Sequence, residues 1–316
     1  AGKRAKKEAA YRSALQYFRK GITVFENEAF DADYQLSLEL YQEAANAAYL
    51  TGQLDEMKKY ADIVHQSAKT TLDKVPVILT EIDALVSRGE ILAAIDYGFG
   101  FIKEFGFTIP KEPTNEEIEE RVGRALALIH SIGIENIPKL PEMTRPDIMA
   151  AIETMTPLGF LLYSTAPKRC IYQSSMSCEI TLLHGNSLMA PQDYIGFSCA
   201  LMMLQKEVKT AYELAKMALN MTLSNPVHIT NSLVLNIFAC IIQPWNEPLQ
   251  NSIQTLEEGI SRGIESGNFT YACLDAVHSC PAAIYSGRQL SEVYDRIRKN
   301  LEIISLLKQP YFIGLL

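Results

Sequence analysis

The sequence predicts an all-α fold, a superhelix of stacked helical hairpins. Apolar and small residues recur at helical spacing along the whole chain. Glycine or proline interrupts them at short intervals, and no stretch alternates polar and apolar residues convincingly enough for a strand. The pattern is clearest over residues 40–64. Leu36, Leu40, Ala44 and Ala47 mark one helix; Leu54, Met57, Ala61 and Val64 mark the next, with a tight turn at Gly52 between them. Asp55, Glu56, Lys58, Lys59 and Asp62 fall mostly off that stripe. Ala44, Ala45, Ala47 and Ala48 let the two helices approach closely. Such a hairpin cannot bury both its faces alone, so it implies neighbours.

A first helix over 3–25 begins with a basic cluster (Lys3, Arg4, Lys6, Lys7), read as a solvated helix end or a contact to a partner domain. Asp31 or Asp33 is placed to cap the next helix, since a carboxylate accepts from the free N–H groups of a first turn. Val75, Ile78, Leu79, Ile82 and Leu85 mark a helix ending at Gly89, with Pro76 in its first turn. Ile91, Ala94, Ile95 and Phe99 mark its partner, ending near Gly106. Gly52 to Gly89 is a step of 37 residues. That is close to the roughly 34 residues of a tetratricopeptide unit, so the hairpins are read as tetratricopeptide-like.

Thr114 starts another helix, with Glu117 in capping-box position and Glu117–Arg121 and Glu120–Arg124 as i,i+4 ion pairs. Residues 131–146, with Gly133, Pro138, Pro141 and Pro146, are the least regular stretch and the expected joint between segments 1–130 and 147–316. Helices over 147–164, 168–184 and 191–206 are rich in Leu, Met, Phe and Cys and should be covered on most sides. The pattern resumes over 207–223, and Pro226 opens a helix to Gln243. A turn at 244–248 comes next, with Asn246 as a cap and Pro248 early in the following helix. There Leu249, Ile253, Leu256, Ile260 and Ile264 form a stripe, and Gly259, Gly263 and Gly267 admit a neighbouring helix closely. Helices over 269–286 and 290–307, separated by Gly287, bring the expected total to about fourteen.

At 316 residues the chain exceeds a usual single core, so two domains or an elongated array are expected. Hydrophobic residues at 48% and charged residues at 21% are those of a folded globular protein. The net charge of −8 argues against nucleic acid or an anionic membrane surface as partner, because both need a basic face. No apolar run reaches the roughly 18 residues of a membrane span, and no apolar core follows the basic start as in a signal peptide. A cytoplasmic setting fits the six cysteines, which form no CxxC pair and lie in apolar helical segments as expected of buried, reduced thiols. The chain opens inside a helical pattern without an initiator Met, as a segment of a longer polypeptide would.

Chemistry is sparse. Phosphate-loop, dinucleotide, zinc-protease and serine-hydrolase signatures are absent, and no cofactor is implied. The five histidines lie on different expected helices. Cys273, His278 and Cys280 lack zinc-ligand spacing, so no metal site is expected. Cys280 cannot pair with His278, since residues i and i+2 of a helix point about 200° apart.

The C-terminal part carries a family resemblance. Trp245, Glu247, Pro248 and Leu249 give W-x-E-P-L; Gly259, Gly263, Gly267, Asn268, Tyr271 and Ala272 give G-x-x-x-G-x-x-x-G-[ND]-x-x-Y-A; Ser286, Gly287, Leu290, Glu292 and Val293 give S-G-x-x-L-x-E-V. With the alanine-rich first hairpin and 68–75 (A-K-T-x-L-D-K-V), these resemble the tetratricopeptide-like region of very large signalling kinases. Such proteins join a protein-kinase-like domain, an AAA-type predicted ATPase, this helical region, a GAF domain and a histidine kinase. The resemblance implies a non-catalytic scaffold between a nucleotide switch and a kinase output. The ATPase and histidine-kinase motifs do not occur in these residues. The partner is then a protein or peptide, or a neighbouring domain of the same polypeptide. A small-molecule-sensing repeat and an unrecognised all-helical enzyme are the alternatives.

In such arrays the first helix of each hairpin lines a concave groove. Tyr271, Asp275, His278, Ala282 and Tyr285 make one stripe on a first helix, opposite a core stripe of Cys273, Val277, Cys280 and Ile284. Tyr271, Asp275, His278 and Tyr285, with Trp245 beside them, are the expected partner- or ligand-binding residues, combining apolar area with oriented hydrogen bonds.

Overall fold

The computed structural model describes residues 1–8, 10–25, 29–225, 228–307 and 309–316. It is all-α: 81% helical, with 17 α-helices and no strand among the described residues. In chain order they are α1 (Gly2–Lys7), α2 (Tyr11–Phe25), α3 (Ala29–Ala32), α4 (Tyr34–Leu50), α5 (Leu54–Ser67), α6 (Val75–Ser87) and α7 (Ile91–Phe101). Then come α8 (Asn115–Ile132), α9 (Pro146–Thr165), α10 (Pro167–His184), α11 (Ala190–Met203), α12 (Val208–Ser224) and α13 (Asn231–Ile237). The last four are α14 (Leu249–Ser266), α15 (Phe269–Tyr285), α16 (Leu290–Leu306) and α17 (Pro310–Ile313).

The expected helix over 3–25 is two helices, α1 and α2. Asp33, not Asp31, caps α4, accepting from the Leu36 N–H at 3.0 Å. Thr114 caps α8 in a complete capping box. Asn246 caps nothing: α14 begins directly after Pro248. The expected helix from Pro226 starts outside the described residues, and its described part is α13, one π turn (Phe238–Ile242) and one 3-10 turn (Gln243–Trp245). Glu120 pairs with Arg124, but Arg121 ignores Glu117. Its guanidinium reaches Glu179 on α10 at 2.5 Å and the Tyr172 hydroxyl at 3.1 Å. A tertiary partner on a packed helix outcompetes an exposed i,i+4 neighbour, which is worth only about 0.3–0.5 kcal/mol.

The chain divides into two compact units, residues 1–111 with 145–166 and residues 112–144 with 167–316. The division is not linear along the chain, and it does not fall between 1–130 and 147–316. In the first unit the alanines of α4 (Ala44, Ala45, Ala47, Ala48) are fully buried among Leu15, Phe18, Met57, Ala61 and Val64. Leu36 and Leu40, expected on the same stripe, are not in that buried set. In the second unit α10 is buried on nearly every side, from Arg169 to Leu182. Within the irregular stretch, residues 134–142 are held firmly in that unit. Asn186 accepts from the Met143 N–H at 2.9 Å, donates its own N–H to Pro141 O at 2.8 Å, and sends its side-chain amide to Ile137 O at 2.8 Å.

Candidate functional site

The tightest helix pair explains the glycine series. A methyl group on Gly259 would stand 2.2 Å from Asp275 Oδ2, and one on Gly263 would meet the Ala272 Cβ at 2.8 Å and the Ser232 hydroxyl at 2.9 Å. Glycine at both positions lets α14 and α15 close until the carboxyl of Asp275 lies on the α14 backbone. Gly267 does something different, ending α14 in the left-handed conformation at φ 80°.

Asp275 is sealed, with no solvent exposure. Ser232 Oγ donates to its Oδ2 at 2.8 Å and Asn236 Nδ2 donates to its Oδ1 at 2.7 Å. Burial raises its pKa well above the carboxylate range, and these two donors only partly oppose that. The same Asn236 nitrogen lies 3.0 Å from His278 Nδ1, so its two hydrogens link carboxyl and imidazole. Burial lowers the His278 pKa, which favours the neutral ring as acceptor. On the π turn Cys240 places its Sγ 3.3 Å from the same Nδ1.

This thiol–imidazole–amide grouping is not an activated nucleophile. Although the residue keeps an exposed face, crowding by neighbouring atoms and the nearby Asp275 push the Cys240 thiol up to about 12, the opposite of the depressed value a reactive cysteine needs. The pairing was invisible in sequence, where Cys240 and His278 are 38 residues apart. Cys240 is also the one exposed cysteine, against the expectation of six buried thiols.

The expected binding stripe therefore separates. Asp275 faces α13 and α14, because Gly259 leaves room for it there. His278 and Tyr271 are half-buried, and burial with Asp275 raises the Tyr271 pKa. Tyr285 and Trp245 are free of the cluster, at 81% and 73% exposure. Ile284, expected in the core, is half exposed. Beside Trp245, Glu247 ties α12 to the start of α14. It accepts from Tyr212 Oη (2.5 Å), Gln243 Nε2 (2.8 Å), Asn251 Nδ2 (3.0 Å) and Lys216 Nζ (3.4 Å). Burial acts to raise its pKa, but these donors prevail and hold it at about 2. The glutamate of W-x-E-P-L is thus a structural clamp.

Open concave surfaces lie elsewhere. In the first unit a groove of about 590 Å³ runs over α4 (Gln42, Asn46), α6 (Leu79, Asp83) and α9 (Met149, Glu153). Its lining residues sit at helical spacing on each helix. One signal for it was legible: Glu153 is the only charge between Ile148 and Thr165. In the second unit a cleft of about 870 Å³ lies between the 134–142 segment and α12, lined by Pro138, Leu140, Leu188, Glu213, Met217 and Asn220. Among the described residues no three His, Cys, Asp or Glu side chains converge to hold a metal ion, and no helix is long and apolar enough to cross a membrane. Compared with known proteins, the chain matches no protein-family model and no curated protein.

Proposed function

We propose that the chain is a non-catalytic, tetratricopeptide-like interaction and regulatory scaffold within a cytoplasmic signalling kinase that carries an ATPase switch. The groove over α4, α6 and α9 carries this reading. Each of these helices comes after a loop or turn and presents one face to the groove, where aliphatic side chains alternate with amides and carboxylates. That mixture suits an extended or helical peptide. The place within a signalling kinase rests on the motif resemblance of 235–294. A second reading, small-molecule sensing, is favoured by the cleft on α12, whose size is that of a ligand pocket.

Peptide display against the purified chain, with bound peptides mapped by hydrogen exchange, tests the proposal. Protection is expected over 42–46, 75–83 and 149–153. Protection confined to 134–142 and α12 would favour the sensing reading instead, and no protection anywhere would remove both. In the intact parent polypeptide, Asn46→Ala with Leu79→Ala should alter kinase output while leaving helicity unchanged. Unaltered output would leave a binding module without a regulatory role.

A further inference from the structure

We propose that the α4–α6–α9 groove selects a peptide bearing lysine or arginine, whose cation is received by Asp83 and Glu153. This rests on the peptide-groove reading and adds the chemistry of the partner.

Some charges on this face of the unit are already matched. At the rim of the groove Lys6 gives its ammonium to Glu43 at 2.6 Å, and along the same face of α4 Lys3 pairs with Glu39. The basic side of α1 thus docks on the acidic ridge of α4. This surface already receives lysine ammonium groups from its own chain. Further into the groove the pattern of carboxylates continues on α6 and α9, but the cations stop. Among the described residues, the carboxylates of Asp83 and Glu153 take part in no ion pair and accept no hydrogen bond; the Tyr49 hydroxyl reaches only the backbone carbonyl of Asp83, at 3.3 Å. Lys6, the one cation lining the groove, is spent on Glu43.

Both carboxylates are open to water yet crowded by concave walls, and that crowding raises the pKa of each, that of Asp83 to about 6. No donor offsets it. A cation arriving there would find negative charge that the fold itself leaves unbalanced, in a recess where screening by water is weaker than on a convex surface. The rest of the lining fits the remainder of such a side chain and its backbone. Leu72, Val75, Leu79 and Met149 offer apolar surface to an aliphatic stem. Gln42 is committed to the Asp73 carbonyl at 2.7 Å, while Asn46 uses only its amide nitrogen, on Thr80 Oγ1 at 3.4 Å. Asn46 Oδ1 is left as an acceptor for a peptide N–H. Among the described residues the groove holds no unpaired cation, so an acidic peptide would meet repulsion from Asp83 and Glu153.

The test uses three fluorescein-labelled nonapeptides that are identical except at two central positions, which carry lysine, glutamine or glutamate. Fluorescence anisotropy against the purified chain should rank them lysine over glutamine over glutamate. The lysine peptide should bind about tenfold tighter than the glutamine peptide at neutral pH and low salt. High salt should shrink that preference, since part of the site is open to solvent. So should lowering the pH through about 6, which protonates Asp83. Asp83→Asn with Glu153→Gln should abolish the preference while leaving the circular dichroism and melting temperature unchanged, because both side chains are exposed. Equal binding of the lysine and glutamine peptides overturns the proposal, as does a lysine preference that survives in the double variant. Hydrogen exchange separates the groove itself from its charge selectivity. Protection of 42–46 and 75–83 by the glutamine peptide as strongly as by the lysine peptide keeps the groove and removes the selectivity. Protection by none of the three removes both.

Discussion

Asp83 in the first unit and Asp275 in the second are both helical aspartates whose surroundings raise the pKa, yet they are opposite constructions. Asp83 stands in an open groove, crowded but wet, with no donor on its carboxylate oxygens. Asp275 is sealed between three helices, with a hydroxyl and an amide donating to it and a glycine backbone behind it. Removing a satisfied buried group disturbs the fold, while removing an unsatisfied exposed one disturbs only what binds there. A polar residue on a helix face is therefore a candidate for recognition only where the fold has left it uncommitted. That criterion moves attention from α15 to the groove on α4, α6 and α9.

The sharpest way to break this comparison is Gly259→Ala. The added methyl must displace the carboxyl of Asp275, so a loss of about 3 kcal/mol is expected in urea unfolding. A near-neutral result would mean that α14 and α15 are not held at this spacing. Asp193→Asn probes a second sealed carboxyl, which accepts from the Thr181 hydroxyl at 2.7 Å and is held by burial at about 7. With its folded pKa above the unfolded value of about 3.9, Asp193 leaves stability intact below pH 4 and lowers it as the pH rises to 7. The Asn variant should therefore be about 2 kcal/mol more stable than wild type at pH 8, and nearly equal to it at pH 4.

Glu247 has the reverse sign. Its folded pKa is depressed, so its contribution is present above about pH 4.5 and is lost as the pH falls toward 2. Glu247→Gln should cost about 1 kcal/mol at pH 7, with the difference fading in acid. Gly123, on the exposed side of α8 with nothing near a would-be Cβ, provides the contrast to Gly259. Gly123→Ala should stabilise by about 0.5–1 kcal/mol, because alanine has the higher helix propensity. The smallest effect expected is that of Asp83→Asn on stability, within about 0.5 kcal/mol. A larger loss would show that the groove carboxylate is part of the fold after all.

Much of the local structure was legible because it depends on neighbours in sequence. The helical periods, the glycine turns at 52 and 89, the Thr114–Glu117 capping box and the alanine face of α4 all derive from spacing and backbone preference. The repeated glycines of α14 correctly announced a close helix neighbour. Arg121 marks the limit of local spacing as a guide. Its i,i+4 partner is plain in sequence, but Glu179 lies 58 residues away and wins because it is brought within reach on a packed helix.

The expected binding stripe is divided for the same reason. Tyr271, Asp275, His278 and Tyr285 do share a helix face, as their spacing demands. That face, however, runs about 21 Å along α15, from the sealed interface with α14 to open solvent. Sequence periodicity determined which side chains point the same way. Only packing decided which of them are covered, because coverage depends on helices that arrive from elsewhere in the chain. Asp275 is buried because Gly259 gives it a place on α14, Cys240 meets His278 because a π turn lies against α15, and the Asp83 carboxylate stays uncommitted because no cation among the described residues pairs with it.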